Sequence, residues 1–108
     1  MTDAYSANAP SGAEIAALEG PALLEFGTNW CGWCRAAEPL LAEALAAYPR
    51  LRHIRVEDGP GRRLGRAFGV KLWPTLIFLR DGKEVARLVR PADAAQIRQA
   101  LLQIEPSA

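Results

Sequence analysis

Cysteine and histidine are scarce in this sequence, and long apolar runs are absent from it. Its 108 residues include two cysteines and one histidine. Two cysteines cannot build the multi-bridge framework of small secreted domains, and a single histidine leaves a four-ligand zinc site short of ligands. The first ten residues lack a basic segment followed by an apolar one, and no later run is long enough to span a bilayer. We therefore expect no metal, no membrane association and a cytoplasmic location, with the periplasm as the alternative if a leader has been removed.

Charge is nearly balanced over the whole chain but unevenly distributed along it. The formal net charge is +1, yet residues 1–49 carry one base and six acids, whereas residues 50–90 carry eleven bases and four acids. Arg62, Arg63 and Arg66 form the densest basic cluster, without interleaved aromatic residues or a recognisable nucleic-acid motif. We interpret this cluster as a solvated face and expect no nucleic-acid partner.

The order of apolar patterns predicts one α/β domain. Half of the residues are apolar, which suffices for a single core at this length. Residues 1–10 are small and polar, so we expect a flexible tail there, followed by a domain over residues 11–108. The predicted elements are a short helix capped by Ser11 and Glu14, a strand over 22–28, a helix over 32–48, a strand over 53–57, a short helix over 64–68, strands over 75–79 and 84–89 around Asp81-Gly82, and a helix that begins at Asp93. This order predicts a mixed sheet of four to five strands flanked by about four helices.

The two cysteines stand where the first strand leads into the longest helix. At that junction, free backbone N–H groups and the positive end of the helix macrodipole favour an anionic sulfur at Cys31. Cys34 lies one turn later, where it can attack a mixed disulfide formed at Cys31 and close an intramolecular bridge. The spacing therefore predicts a nucleophilic and a resolving cysteine, although the same spacing alone would also suit half of a zinc site.

Two segments together resemble the thioredoxin family: Trp30-Cys31-Gly32-Trp33-Cys34 and Trp73-Pro74-Thr75. The resemblance covers roughly residues 12–105 and implies a thioredoxin fold. It also implies a cis Trp73–Pro74 bond held against the sulfurs, and a backbone at residue 73 that pairs with an extended substrate strand. Its further implications are disulfide-containing protein substrates and a flavoprotein thioredoxin reductase as electron donor. We also expect no bound cofactor and a monomer. The substrate-binding residues are then expected to be Trp30, Gly32, Trp33, Trp73, Pro74, Thr75 and Arg90.

Glu25 is unexpected inside an apolar strand. It stands where the family usually has a buried aspartate, which implies a general acid/base role toward Cys34. The alternative is an edge position from which the carboxylate reaches solvent. Arg55, where the family usually has lysine, is either its ionic partner or a surface charge. His53 occupies an ordinary strand position, so we interpret it as structural and leave it outside the site.

Several residues depart from the usual thioredoxin pattern. Trp33 replaces a proline, and Gly27 stands where many thioredoxins have a tryptophan, while Trp73 takes the place of a smaller residue. Compared with those thioredoxins, the large aromatic side chains then stand at different positions around the site. Trp30, Trp33 and Trp73 would form a flat apolar rim for docking a partner. The alternative is that Trp30 and Trp73 are mostly buried packing residues. Arg90 replaces a glycine, which implies a narrower, positively charged groove for acidic partners.

Together these features predict a thiol–disulfide oxidoreductase that reduces protein disulfides. A different class of function is a binding module with incidental cysteines. A third hypothesis reverses the direction of the chemistry and makes the protein a disulfide oxidant or isomerase of the bacterial envelope.

Overall fold

The computed structural model describes residues 4–107, and within that range eight elements follow one another. They are α1 (Gly12–Ala16), β1 (Pro21–Gly27), α2 (Gly32–Leu45), β2 (Arg52–Glu57), α3 (Arg63–Ala67), β3 (Thr75–Arg80), β4 (Lys83–Val89) and α4 (Ala94–Ile104). The four strands form one sheet in the order β2-β1-β3-β4. β1 runs parallel to β2 and antiparallel to β3, and β4 runs antiparallel to β3. The predicted mixed α/β sheet with four helices is confirmed.

Local sequence signals set the element boundaries. The Ser11 side chain accepts a hydrogen bond from the Glu14 backbone, and the Glu14 side chain accepts one from the Ser11 backbone, which completes the predicted capping box. Asp93 caps α4 through the N–H of Gln96. Asp81 and Gly82 both have positive φ, of 52° and 76°, as the tight turn between β3 and β4 requires.

The longest helix, α2, ends at Leu45, three residues earlier than its apolar spacing predicts. A turn follows it, in which the Tyr48 N–H donates to the Leu45 carbonyl. Pro49 comes next and disfavours helical geometry in the residue before it, which ends the helix. Tyr48 still packs against the core from this turn, so its apolar character reflects burial and not helix membership.

The core lies on both faces of the sheet because β1 is covered on both sides. On one face Leu23 of β1 packs with residues of α2 and α4. On the other face Leu24 and Phe26 pack with Ile15 of α1 and Leu64 of α3. All residues of β1 from Ala22 to Gly27 are buried, as expected for a strand in the middle of a sheet. Within the described part of the chain, no helix is both long enough and apolar enough to cross a membrane.

The N-terminal segment is more ordered than its composition predicts. Ser6 pairs with the edge strand β2: its N–H donates to the Arg55 carbonyl, and its carbonyl accepts from the Glu57 N–H. Tyr5 is buried, with 5% of its surface exposed. The expectation that residues 1–10 form a flexible tail with nothing to bury is therefore wrong for Tyr5 and Ser6, because one aromatic side chain anchors the segment. Residues 1–3 lie outside the described range.

Candidate active site

The two cysteines lie at the junction of β1 and α2, as predicted. Cys31 is the N-cap of α2, and its Sγ accepts a hydrogen bond from the backbone N–H of Cys34 at 3.3 Å. A sulfur in this position also faces the positive end of a 14-residue helix. Both cysteines are free thiols. The sequence-predicted pair is therefore brought together in the geometry of a reactive dithiol.

The two sulfurs differ in environment. Cys31 retains 8% of its surface exposed, whereas Cys34 retains 1%. Burial and the hydrogen bond to Cys31 raise the pKa of Cys34 to about 11. Cys34 is therefore a buried thiol that keeps its proton at neutral pH, and Cys31 is the sulfur that an incoming molecule reaches first.

Glu25 is fully buried beneath the dithiol in a network of polar side chains. Its carboxylate accepts hydrogen bonds from the Tyr5 hydroxyl and from Arg55 Nε, at 3.2 Å for the latter, and its Oε1 lies 2.7 Å from His53 Nε2. Burial alone would raise the pKa of Glu25, but the His53 hydrogen bond and the Arg55 charge outweigh it, and the pKa lies below its usual value. The carboxylate is therefore charged, and the alternative in which Glu25 reaches solvent is wrong.

Arg55 is the ionic partner of Glu25 and not a surface charge. It is 7% exposed, and its guanidinium also pairs with Glu38 of α2. Its Cζ lies 4.2 Å from the centre of the Tyr5 ring, within the range of a cation–π contact. β1 and β2 are parallel with Glu25 opposite Arg55, and this register places the two side chains together.

Sequence reasoning excluded His53 from the site, and the structure places it next to the buried carboxylate. The His53 side chain is 20% exposed, so it links Glu25 with the surface of the molecule. His53 and Arg55 alternate along β2 and so point to the same face as Glu25. The sequence does not determine the register of a parallel strand pair. The alternation of side chains along β2 therefore gave no sign that His53 faces Glu25, and His53 was interpreted as structural.

Tyr5 is the site residue that sequence analysis missed. Its ring packs with Cys31 and Cys34, and its hydroxyl donates a hydrogen bond to Glu25. Gly27 makes room for it: a methyl group on Gly27 would lie 2.7 Å from Tyr5 Cζ and 2.6 Å from Cys34 Sγ. The missing tryptophan at residue 27 was the available signal, because a glycine beneath the active site implies that another aromatic ring fills the space.

An aromatic rim surrounds the dithiol. Trp30 and Trp33 are 74% and 57% exposed, so the interpretation of Trp30 as a buried packing residue is wrong. Trp73 is half-buried; its ring meets that of Trp30 edge to face at 5.7 Å, and its Nε1–H donates to Asp58. Arg90 covers Trp33, with Cζ 4.6 Å from the ring centre. Gly32 is exposed between the cysteines, with open space where a side chain would stand.

The Trp73-Pro74-Thr75 segment closes the other side of the site. The Trp73–Pro74 bond is cis, and Trp73 packs against the cluster of Tyr5 and the two cysteines. Pro74 and Thr75 are buried, and the Thr75 hydroxyl donates to the Leu72 carbonyl at 2.6 Å. Thr75 thus shapes the loop and does not present its hydroxyl outward.

The Arg90 side chain hydrogen-bonds a backbone group of residue 73, the residue whose backbone the family resemblance assigns to substrate binding. Its Nε donates to the Trp73 carbonyl at 2.8 Å, and its own backbone, with φ of 51°, lies in the left-handed region. The carbonyl of residue 73 is therefore already engaged by a side chain of the same molecule.

Comparison with known proteins places this geometry in a family. The family model described as Thioredoxin matches residues 7–103. The structure of reduced thioredoxin 2 from Pseudomonas aeruginosa PAO1 is 61% identical, with a TM-score of 0.83 over 93% of each chain. A thioredoxin of Chlamydia muridarum is 37% identical over 70 residues, which cover 65% of this chain and 69% of that protein. Thioredoxin H-type 1 of Nicotiana tabacum is 33% identical over 67 residues, 62% of this chain but only 53% of the tobacco protein, so the match spans about half of that relative.

Proposed function

Because the chain belongs to the thioredoxin family of thiol–disulfide oxidoreductases, we propose that it reduces disulfide bonds in protein substrates through Cys31 and Cys34. The observation that carries the proposal is the asymmetry of the two sulfurs. Cys31 caps the helix at the rim, while Cys34 is buried behind it with its pKa raised to about 11. The Cys31 sulfur is placed to attack the substrate disulfide, and the Cys34 sulfur stays protonated until a mixed disulfide has formed.

The reaction then proceeds in two exchange steps. The Cys31 thiolate attacks one sulfur of the substrate disulfide, and the other substrate sulfur leaves as a thiolate. Cys34 next attacks Cys31 while losing its proton, which expels the second substrate sulfur and closes the Cys31–Cys34 bridge. Two electrons pass from the dithiol to the substrate disulfide. Cys34 must lose its proton in a site that excludes water, which calls for a nearby base.

Glu25 is the base that we assign to this step. It is charged and fully buried, and Tyr5, which hydrogen-bonds its carboxylate, also packs against Cys34. Arg55 compensates the buried negative charge, since an unpaired carboxylate there would be costly. General acid/base groups of this kind typically contribute about 10²–10⁴ in rate.

Substrate docks, in our proposal, on the aromatic rim. Trp30 and Trp33 supply exposed rigid surface, and amphipathic aromatic rings are favoured at such contacts. The cis segment at Trp73 and Pro74 borders the sulfurs, so an extended substrate strand would pair with the residue 73 backbone there. Arg90 adds positive charge beside Trp33 and favours acidic substrates.

A reductant needs a partner that recharges it and a compartment that keeps it reduced. We propose a flavoprotein thioredoxin reductase as the electron donor and the cytoplasm as the location, because disulfides do not persist there. The protein acts as a monomer in this proposal, without metal or cofactor, since the dithiol itself carries the electrons.

Two cysteine variants test the proposed function. Cys34→Ser is expected to accumulate a mixed disulfide between Cys31 and a disulfide-bonded protein, visible as an adduct in mass spectrometry without reductant. Cys31→Ser is expected to give no adduct and no turnover with a dithiol donor. Turnover that survives Cys31→Ser would overturn the proposal. Partner binding that ignores both changes would favour the binding-module function instead.

A further inference from the structure

The Tyr5 hydroxyl lies between the resolving sulfur and the buried carboxylate. The hydroxyl oxygen and Cys34 Sγ flank the same point above Gly27, 2.8 Å and 2.6 Å from where its Cβ would be. The same hydroxyl donates to Glu25, and the Tyr5 side chain packs against Cys34. Tyr5 is thus the described side chain that contacts both groups between which the proton must pass.

The surroundings of this hydroxyl are shielded from bulk solvent. Glu25 is 0%, Cys34 1% and Tyr5 5% exposed. The titratable and charged groups facing the network are Arg55, over the Tyr5 ring, Glu38 of α2, which pairs with Arg55, and His53, at the partly exposed end. Bulk solvent therefore has little direct access to the Cys34 sulfur or to the Tyr5 hydroxyl.

We propose that Tyr5 is a catalytic residue that carries the proton of Cys34 to Glu25 while Cys34 attacks the mixed disulfide. This inference rests on the proposed reduction of disulfides and assigns to a tyrosine of the N-terminal segment a step in that reaction.

The proton on Cys34 Sγ moves to the Tyr5 oxygen as the proton of the Tyr5 hydroxyl moves to Glu25. The Cys34 sulfur forms a bond with the Cys31 sulfur, the bond from Cys31 to the substrate sulfur breaks, and that sulfur leaves with the electron pair. The proton then leaves the Glu25 carboxyl on the side of His53, which reaches the surface.

The pKa values of Cys34, Tyr5 and Glu25 determine when the proton is transferred. Burial and the Glu25 charge raise the pKa of Tyr5, so the hydroxyl stays protonated and can accept a proton only while giving up its own. The pKa of Cys34 is about 11 and that of Glu25 lies below its usual value, so transfer before attack is uphill. Transfer therefore accompanies formation of the new sulfur–sulfur bond, which makes the sulfur proton acidic.

Tyr5→Phe keeps the ring and removes the hydroxyl, and the chain supplies a matched control in Tyr48→Phe. Tyr48 packs at the edge of the core after α2 and is the second of the two tyrosines. The reduced protein is mixed with an aromatic disulfide that releases a coloured thiolate at each step. The first release reports attack by Cys31, and the second reports resolution by Cys34.

We expect Tyr5→Phe to leave the first phase within about twofold of wild type and to slow the second at least about tenfold. Tyr48→Phe should leave both phases unchanged. Glu25→Gln should slow the second phase as well, and the double variant should be no slower than the slower single variant, because both changes break one path. A Tyr5→Phe second phase within about twofold of wild type would overturn the role of Tyr5.

A second measurement needs no variant and decides the question if Tyr5→Phe does not fold. In mixtures of light and heavy water, two protons moving in one step give a second-phase rate that depends on the square of the deuterium fraction. Direct transfer of one proton gives a linear dependence and would contradict the inference. If the wild-type protein releases neither thiolate, the proposed function fails; if it releases both while the dependence is linear, only the role of Tyr5 fails.

Discussion

Replacing Gly27 with alanine tests whether a tyrosine ring occupies the space beneath the active site. The added methyl group would lie 2.6 Å from Cys34 Sγ and 2.7 Å from Tyr5 Cζ. Favourable contacts between such atoms lie at about 3.5–4.0 Å, so the ring or the sulfur must move. The Tyr5 ring cannot withdraw without losing its hydrogen bond to Glu25. Overpacking costs about 1–3 kcal/mol and a lost hydrogen bond about 1 kcal/mol, so we expect about 2–4 kcal/mol of destabilisation.

Urea denaturation in reducing buffer measures this effect. With a slope of about 2 kcal/mol per molar urea, the midpoint should fall by about 1–2 M. Gly12→Ala is the matched control, because Gly12 begins α1 and the added methyl group would meet no atom within 4 Å outside its chain neighbours and the helix's own backbone. Its midpoint should stay unchanged or rise slightly. A Gly27→Ala protein within about 0.5 kcal/mol of wild type would refute the placement of Tyr5 against Gly27.

Three further predictions concern charge. The folded-state pKa of Cys34 is raised to about 11, so its contribution to the free energy of unfolding is fully present below the unfolded value near 9 and is lost as the pH rises through 11. In the reduced Cys34→Ser protein, the free energy of unfolding should fall by about 3 kcal/mol less over this pH range than in wild type. The folded-state pKa of Glu25 is lowered, so its contribution to the free energy of unfolding is present above the unfolded value near 4.5 and is lost as the pH falls. Glu25→Gln should therefore make the free energy of unfolding depend less on pH in the acid range. Arg90→Gln removes the cation beside Trp33 and should raise the KM for a disulfide peptide flanked by aspartates several-fold, while a serine-flanked peptide changes little; equal changes for both peptides would exclude charge selection by Arg90.

Much of the fold was predictable because local patterns and tertiary structure agree. The capping residues Ser11 and Asp93, the turn at Asp81-Gly82 and the apolar β1 each match the observed element. The dithiol was predictable for the same reason, since Cys31 and Cys34 are neighbours in one helical turn.

The polar network beneath the dithiol was less predictable because its members are far apart in sequence. Tyr5 and Glu25 are 20 positions apart, and His53 lies 28 positions from Glu25. Glu25 and Arg55 meet through the register of parallel strands, which side-chain alternation does not determine. Tyr5 belongs to a segment with one aromatic residue, too little apolar surface to signal burial by composition. The resemblance to the thioredoxin family pointed to Glu25 but gave no indication of the Tyr5 ring, which lies between Glu25 and Cys34.

The direction of the reaction is the central claim, and the equilibrium between the Cys31–Cys34 dithiol and glutathione tests it most directly. Purified protein is equilibrated in buffers of defined glutathione ratio, and the oxidised fraction is read after acid quenching and alkylation. A reductant of protein disulfides should have a potential near that of thioredoxin, about −270 mV. A potential between about −120 and −180 mV, in the range of disulfide oxidants and isomerases, would contradict the account.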